Sequence, residues 1–365
     1  KFATALALAK LFSSYQFRLN AKAGNYAKAL AIIFMPVVLI LLQNETGSAL
    51  TFMALFFVLY REGMSGLVLF AAVFAVVIFV VGIKYTETMV MGMPAGQFAV
   101  LVIVMIVTVG MAFFYGRRYV VARNLLFGYL ALGVVLAAIS ITGIDIPALP
   151  FLLAAIGIAC VYVCLDAIKT HRPRLYVTVA SAVFGVVFLF SVGAAFNHLQ
   201  PHQQMRIKVV LGMVEDLRDA GYNVNQSKIA IGSGGFFGKG FLNGTQTKLK
   251  YVPEQHTDFI FCTIGEEEGF VGAMFVTLLF LGLILRVLKI GERQPTTFGR
   301  VYAYCVASYF IFHFCINIGM VIGLCPVIGI PLPFFSYGGS SLWGFTILLF
   351  ILLKIDAVRK NIMVY

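Results

Sequence analysis

The stretch 67–83, LVLFAAVFAVVIFVVGI, runs for seventeen residues without a charge, and several other stretches of the chain resemble it. A helix of roughly 20 apolar residues spans the hydrocarbon of a bilayer, and these runs, rich in Phe, Leu, Ile and Val, lack the alternation of a strand. With 61% hydrophobic and 12% charged residues, a chain of 365 residues has too much apolar surface for a soluble protein. The expected fold class is an all-α polytopic membrane protein, a multi-span helical bundle with a large extracytoplasmic loop and a re-entrant segment.

Spans are expected near residues 1–14, 28–43, 47–60, 64–84, 98–115, 124–142, 149–167, 176–196, 258–285, 300–323 and 340–354. The net charge of +12 resides mostly in short segments between these runs, which argues against nucleic acid as a partner and for a topological signal. Arg18 to Lys28, Arg117 to Arg123, Lys169 to Arg174, Arg286 to Arg300 and Lys354 to Lys360 are basic. They alternate with 43–47, 85–97, 143–148 and 197–257, which places the first set in the cytoplasm and the second outside. The opening run, KFATALALAKLF, reads as a helix entered partway, so further N-terminal spans are expected beyond this sequence. The six cysteines stand singly in or beside apolar runs, and only Cys160 and Cys164 share a helix face, which fits core packing rather than a disulfide framework or a zinc site.

Two polar interruptions break the helical pattern: Gln43-Asn44-Glu45-Thr46-Gly47, and CPVIGIPLPFFSYGGSS from Cys325 to Ser341. Non-helical backbone at membrane depth survives only where protein or a water-filled cavity satisfies its polar groups, so both predict a polar cavity near the outer face. A simple exterior turn is the alternative for the first, and a plain loop for the second.

The exterior loop contains SKIAIGSGGFFGKGFLNGTQTKLKYVPEQHTDFIF, Ser227 to Phe261, followed by Glu266-Glu267-Glu268. Gly232, Gly234, Gly235, Gly238, Gly240 and Gly244 would let backbone amides approach an anionic ligand, although this is no Walker loop. Lys239, Lys248, Lys250 and the upstream Arg206 supply positive charge suited to a pyrophosphate or an anionic headgroup, unless they are ordinary solvated side chains. Asp258 stands where the polar loop turns apolar. It is either a helix-start residue stabilised by the dipole or a general base whose pKa is raised by desolvation at the membrane surface. His256 beside it is a second candidate. The three glutamates would lie on the same helix as Asp258, about 12 Å beyond it at about 1.5 Å per residue, and need a hydrated environment or a basic partner.

These motifs resemble the SEDS family of peptidoglycan glycosyltransferases. GSGGFFGKGFLNGTQ is closer to the elongation-type (RodA-like) branch than to the division-type (FtsW) branch, and PEQHTDFIF followed by GEEEG is similar to the segment around the family's essential aspartate. PLPFFSYGGSSL resembles the last outer re-entrant motif, and IFMPVVLILLQNETGSALT the IFMP…QPDLGTS block. The likeness covers residues 1–66 and about 176–365. The family's QPDLG is altered to Gln43-Asn44-Glu45-Thr46-Gly47, and Lys1 aligns with the lysine closing its P-S-E-x-x-K motif. Residues 67–175 have no counterpart in the compact family pattern and read as about four inserted spans.

What the resemblance implies is polymerisation of lipid II, the undecaprenyl-pyrophosphate disaccharide-pentapeptide, at the outer face of the bacterial cytoplasmic (inner) membrane during cell elongation. Asp258 would be the catalytic base. Lys1, Arg206, Ser233, Gly234, Gly235, Lys239, Thr245, Gln246, Glu254, His256, Thr257 and Ser340 would bind substrate. Glu45, Glu266, Glu267 and Asn317 would line or support the cavity, with cross-helix hydrogen bonding as the plainer role of Asn317 and Ser340-Ser341. A divalent cation such as Mg²⁺ could assist the leaving group, with no metal ligands assigned. A class B penicillin-binding transpeptidase and membrane proteins of the elongation complex are the implied partners. A lipid II flippase and a non-catalytic scaffold are the alternatives.

Overall fold

The computed structural model describes residues 1–15, 17–21, 23–43, 45–141, 147–213, 221–249 and 251–362. Asn44, Lys250 and most of the 143–148 stretch therefore lie outside the described residues. The chain folds into two compact units, one of Lys1–Gly66 with Val214–Tyr365 and one of Leu67–Met213. Among the described residues, nine helices are long and apolar enough to cross a membrane, with two shorter apolar helices over Phe2–Phe12 and Gly47–Arg61. The all-helical, polytopic fold expected from the apolar runs is what the structure has.

The first unit opens with α1 (Phe2–Phe12), α2 (Ala23–Leu41), α3 (Thr46–Leu50) and α4 (Leu55–Arg61). The second unit contains α5 (Gly66–Lys84), α6 (Ala95–Gly110), α7 (Tyr119–Ile141), α8 (Ala148–Lys169), α9 (Arg174–His198) and α10 (Pro201–Val210). A tight hairpin, Met89–Val90 paired with Met93–Pro94, turns through Met91 and Gly92 at positive φ. Its core gathers Phe74, Ile78, Leu101, Val104, Leu152 and Leu189. Arg118 grips Asp166 through two nitrogens at 3.0 and 2.7 Å. Helix α9, read from sequence with the C-terminal core, packs against α6 and α8 of this unit.

The first unit resumes with α11 (Tyr222–Gly234), α12 (Thr245–Lys248), α13 (Ile260–Glu267), α14 (Gly269–Glu292), α15 (Thr297–Val321) and α16 (Gly339–Ile362). Its centre is α15, which packs against α1, α4, α14 and α16. Small residues such as Ala303 and Ala307 let neighbours approach, and Tyr302, Tyr309 and Phe310 fill the space between without exposure. The buried Tyr302 hydroxyl donates to the Leu348 carbonyl at 3.0 Å. At the ends expected to face the cytoplasm, Arg300 grips Glu62 at 3.1 and 3.0 Å, Arg61 meets Glu292 at 3.1 Å, and Arg293 pairs with Asp356. Helices α4, α14, α15 and α16 are thereby tied together at one end.

The expected single span 258–285 is instead two helices, α13 and α14, joined at Glu268 and at Gly269 with φ +65°. The amides of Phe270 and Val271, unpaired within α14, donate to the carbonyls of Gly235 and Phe236 just past the end of α11. Helix α11 can lie this close to α13 because a Cβ at Gly234 would come within 2.0 Å of the Gly265 carbonyl oxygen. Gly238, at φ +78°, is equally hemmed in, its Cβ position lying 2.1 Å from the Glu267 carbonyl oxygen. Gly238→Ala is expected to destabilise the protein by about 2 kcal/mol or more through backbone strain and overpacking, seen as a lowered unfolding temperature in detergent.

Candidate active site on the outer loop

Asp258 precedes Phe259, the N-cap of α13, so it is not the capping residue, and no side chain caps this helix. Asp258 nonetheless stands at the start of the helix, one residue before the cap. The residue is half-buried, and among the described residues no hydrogen bond or ion pair engages its carboxylate. Burial, reinforced by the negative charge of Glu254, raises its pKa above the ordinary 3.8. Glu254 itself, at φ +54°, accepts from the Thr257 hydroxyl at 2.9 Å, while His256 is exposed.

Neighbouring backbone fixes this loop. The carbonyls of His256, Thr257 and Asp258 accept, in turn, from the Tyr337 amide (2.7 Å), the Ser336 hydroxyl (2.6 Å) and the Asn317 amide nitrogen (2.8 Å). Asn317, with no exposure, donates also to the Ile330 carbonyl at 2.7 Å. One turn back along α15, His313 contacts the Pro331 carbonyl at 3.0 Å. After α15 ends at Val321, the non-helical segment thus returns alongside it to the level of His313, about eight residues or roughly 12 Å back. That is the re-entrant path read from its three prolines. A Cβ at Gly329 would stand 3.2 Å from Asp258 Oδ2, so the same segment passes beside the carboxylate.

Lys1 and Ser340 share a cavity of about 310 Å³ with Ser48, Pro331, Ser341 and Phe345. Both polar interruptions therefore meet: Ser48 follows the 43–47 break, and a Cβ at Gly47 would lie 2.4 Å from the Ile328 carbonyl oxygen. Glu45 stands exposed at the start of α3, with the Ser48 hydroxyl 3.5 Å away, and does not line this cavity. Lys1 Nζ lies 2.8 Å from His313 Nε2. Sequence reading missed His313, which is hidden in the apolar run YFIFHFCINIG. Its spacing of four from Asn317, on one helix face, was the available signal.

The glycine-rich segment builds a different feature. Glu266, without exposure, accepts from Lys239 Nζ at 2.8 Å, the Gln246 and Thr247 amides at 2.9 and 3.0 Å, and the Thr245 hydroxyl at 3.2 Å. Burial alone would raise its pKa, but Lys239 and the two amides outweigh burial and bring it down to about 2. Lys239 also donates to Ser233 and Thr245 at 2.7 and 2.6 Å, so its three hydrogens are spent inside the protein. Glu267 accepts the Leu242 amide at 3.1 Å. The amides on this carboxylate are those of Gln246 and Thr247 at the start of α12, not those of the six glycines expected to cradle an anionic ligand, and Gly234 serves helix packing. Gly235, at φ +58°, ends α11. The three glutamates, expected within one apolar helix, sit where that helix breaks.

The described residues therefore form three clusters: Asp258 with Glu254, His256, Thr257 and Asn317; Lys1 with Ser340; and Glu266 with Ser233, Lys239, Thr245 and Gln246. Arg206 belongs to α10 in the second unit, and its side chain lies outside the described residues. Among the described residues, no three His, Cys, Asp or Glu side chains gather as metal ligands.

Residues 103–361 match the family model FTSW_RODA_SPOVE, cell cycle protein, a match that begins within the segment read as inserted. The peptidoglycan glycosyltransferase MrdB of Escherichia coli K12 is 40% identical over 206 residues, 51% of this chain and 56% of the relative. The peptidoglycan glycosyltransferase RodA of Treponema pallidum is 45% identical over 159 residues, 44% of this chain and 37% of the relative. The chain thus spans about half the length, or less, of these curated relatives. A solved chain from work on the structural coordination of polymerization and crosslinking by a peptidoglycan synthase complex shares the fold, with a TM-score of 0.55 at 21% identity, over 98% of this chain and 68% of that one. The matched residues make up well over half of the sequence, and the chain belongs to the FtsW/RodA/SpoVE family of cell cycle proteins.

Proposed function

We propose that this protein is a peptidoglycan glycosyltransferase that polymerises lipid II at the outer face of the bacterial inner membrane in support of cell elongation. The observation that carries the reading is Asp258: a half-buried carboxylate that no hydrogen bond or ion pair engages among the described residues while its backbone is held, with its pKa raised toward the range of a useful base. Asp258 takes the proton from the acceptor's 4-hydroxyl as that oxygen attacks the anomeric carbon of the donor. The bond to undecaprenyl pyrophosphate breaks with inversion, and the pyrophosphate leaves already charged. Lys1, in the cavity with Ser48 and Ser340, is suited to the anionic leaving group. A divalent cation, if used, would enter with the substrate's pyrophosphate, because no protein donor set gathers among the described residues.

Asp258 on a long glycine-rich loop expected at the outer face suits surface chemistry better than the midplane site of alternating access, which favours the polymerase over a flippase. A class B penicillin-binding transpeptidase is the proposed partner, in line with the fold shared with a synthase-complex chain. The test supplies lipid II to the whole protein with that partner, its crosslinking blocked, and separates the products by size. Glycan strands are expected; translocated lipid II without strands would replace this reading with the flippase.

A further inference from the structure

We propose that His313 is the positioning residue that sets the Lys1 ammonium in the cavity it shares with Ser340. The inference rests on the polymerase reading, in which that ammonium faces the leaving pyrophosphate.

His313 has no exposure, and its ring has two polar contacts: Nδ1 with the Pro331 carbonyl at 3.0 Å and Nε2 with Lys1 Nζ at 2.8 Å. A carbonyl oxygen only accepts, so Nδ1 carries the hydrogen and donates. An ammonium only donates, so Nε2 must offer its lone pair. The two partners together fix the neutral Nδ1–H tautomer. One of the three ammonium hydrogens is spent on His313, which leaves two for the cavity. Phe345 completes the seat, its ring centroid 5.4 Å from Lys1 Nζ and edge-on to His313 at 4.8 Å.

Among the described residues no carboxylate pairs with Lys1. A free lysine loses rotamer entropy when a ligand orders it. His313 orders it beforehand. The same ring holds Pro331, so the ammonium and the cavity wall keep one register.

Two substitutions separate these contacts, because a glutamine amide reaches the place of Nε2 and an asparagine amide the place of Nδ1. His313→Gln keeps an acceptor for Lys1; His313→Asn keeps only a donor for Pro331. Strand synthesis by the whole protein with its partner is expected to stay within about threefold of wild type in His313→Gln and to fall about tenfold in His313→Asn, as for loss of one charge-assisted hydrogen bond. In a Lys1→Met background the gap between the two should close, since a residue acting through Lys1 has nothing left to position. Thermal unfolding of each variant checks that both fold.

The reverse order, with Asn active and Gln impaired, would make His313 a pin for the re-entrant segment and overturn the proposal. So would equal activities, or a gap that persists in Lys1→Met. Asp258→Ala run alongside separates the two readings: strands from wild type and none from Asp258→Ala leave the polymerase standing whatever His313 does. No strands from wild type remove both.

Discussion

Asp258→Asn should lose strand synthesis by about 10²- to 10⁴-fold, the range expected when a general base is removed, while the protein stays folded and bound to its partner. Asparagine keeps the shape and the backbone carbonyl that Asn317 holds, so the loop should not move. The Asp258 carboxyl has a folded pKa above its ordinary 3.8, so the folded protein binds this proton more tightly than the unfolded chain does. Ionisation of Asp258 therefore costs stability, a cost absent well below 3.8 and fully present once the pH exceeds the raised value. Asp258→Asn is accordingly expected to unfold at a slightly higher temperature than wild type at neutral pH, with the difference closing in acid. The wild-type rate should fall as the pH drops through the raised value, and Asp258→Glu should retain part of it. A variant that made strands at the wild-type rate would remove Asp258 from the chemistry.

Glu266→Ala is expected to cost about 3–5 kcal/mol, because it leaves the Lys239 ammonium and the Gln246 and Thr247 amides without their acceptor. Lys239→Met should cost a similar amount by leaving the buried carboxylate unpaired. The cage also has a pH signature of opposite sign to that of Asp258. Glu266 is held down to about 2 from an ordinary 4.5, so its contribution is complete above 4.5 and is lost as the pH falls from there toward 2. That interval corresponds to about 3 kcal/mol. Unfolding of wild type and Glu266→Gln followed from pH 7 to pH 2 should show the two curves converging in acid. If Lys239→Met lost strand synthesis but kept wild-type stability, Lys239 would belong to the substrate and not to the cage.

The apolar runs were legible because lipid leaves a spanning segment little choice but helix, and the expected spans fall on observed helices. The break at Gly269 was not legible. The run Gly265-Glu266-Glu267-Glu268-Gly269 interrupts the apolar pattern there, but a polar run alone does not say that the helix breaks; that shows only in a tertiary contact, the carbonyls of Gly235 and Phe236 accepting from the first amides of α14. Lys239 and the glycines were visible as a motif, but composition cannot tell whether an anion-binding loop will meet a ligand or a carboxylate of its own chain. Glu266, thirty-two residues beyond Gly234 in sequence, decides that only in three dimensions. His313 stayed hidden for the converse reason: a histidine among aromatic residues looks like core until its two ring nitrogens are seen to have partners on distant segments.

The carbonyls of His256, Thr257 and Asp258 are held by Tyr337, Ser336 and Asn317. An exposed loop ordinarily frays alone, at little cost, well before its domain unfolds. This one can leave its place only by releasing the re-entrant segment, which is itself fastened to α15 through Ile330 and Pro331. The two stretches are thus tied to one another and to α15, and the backbone beside Asp258 is held from two separate parts of the chain rather than by its own loop alone.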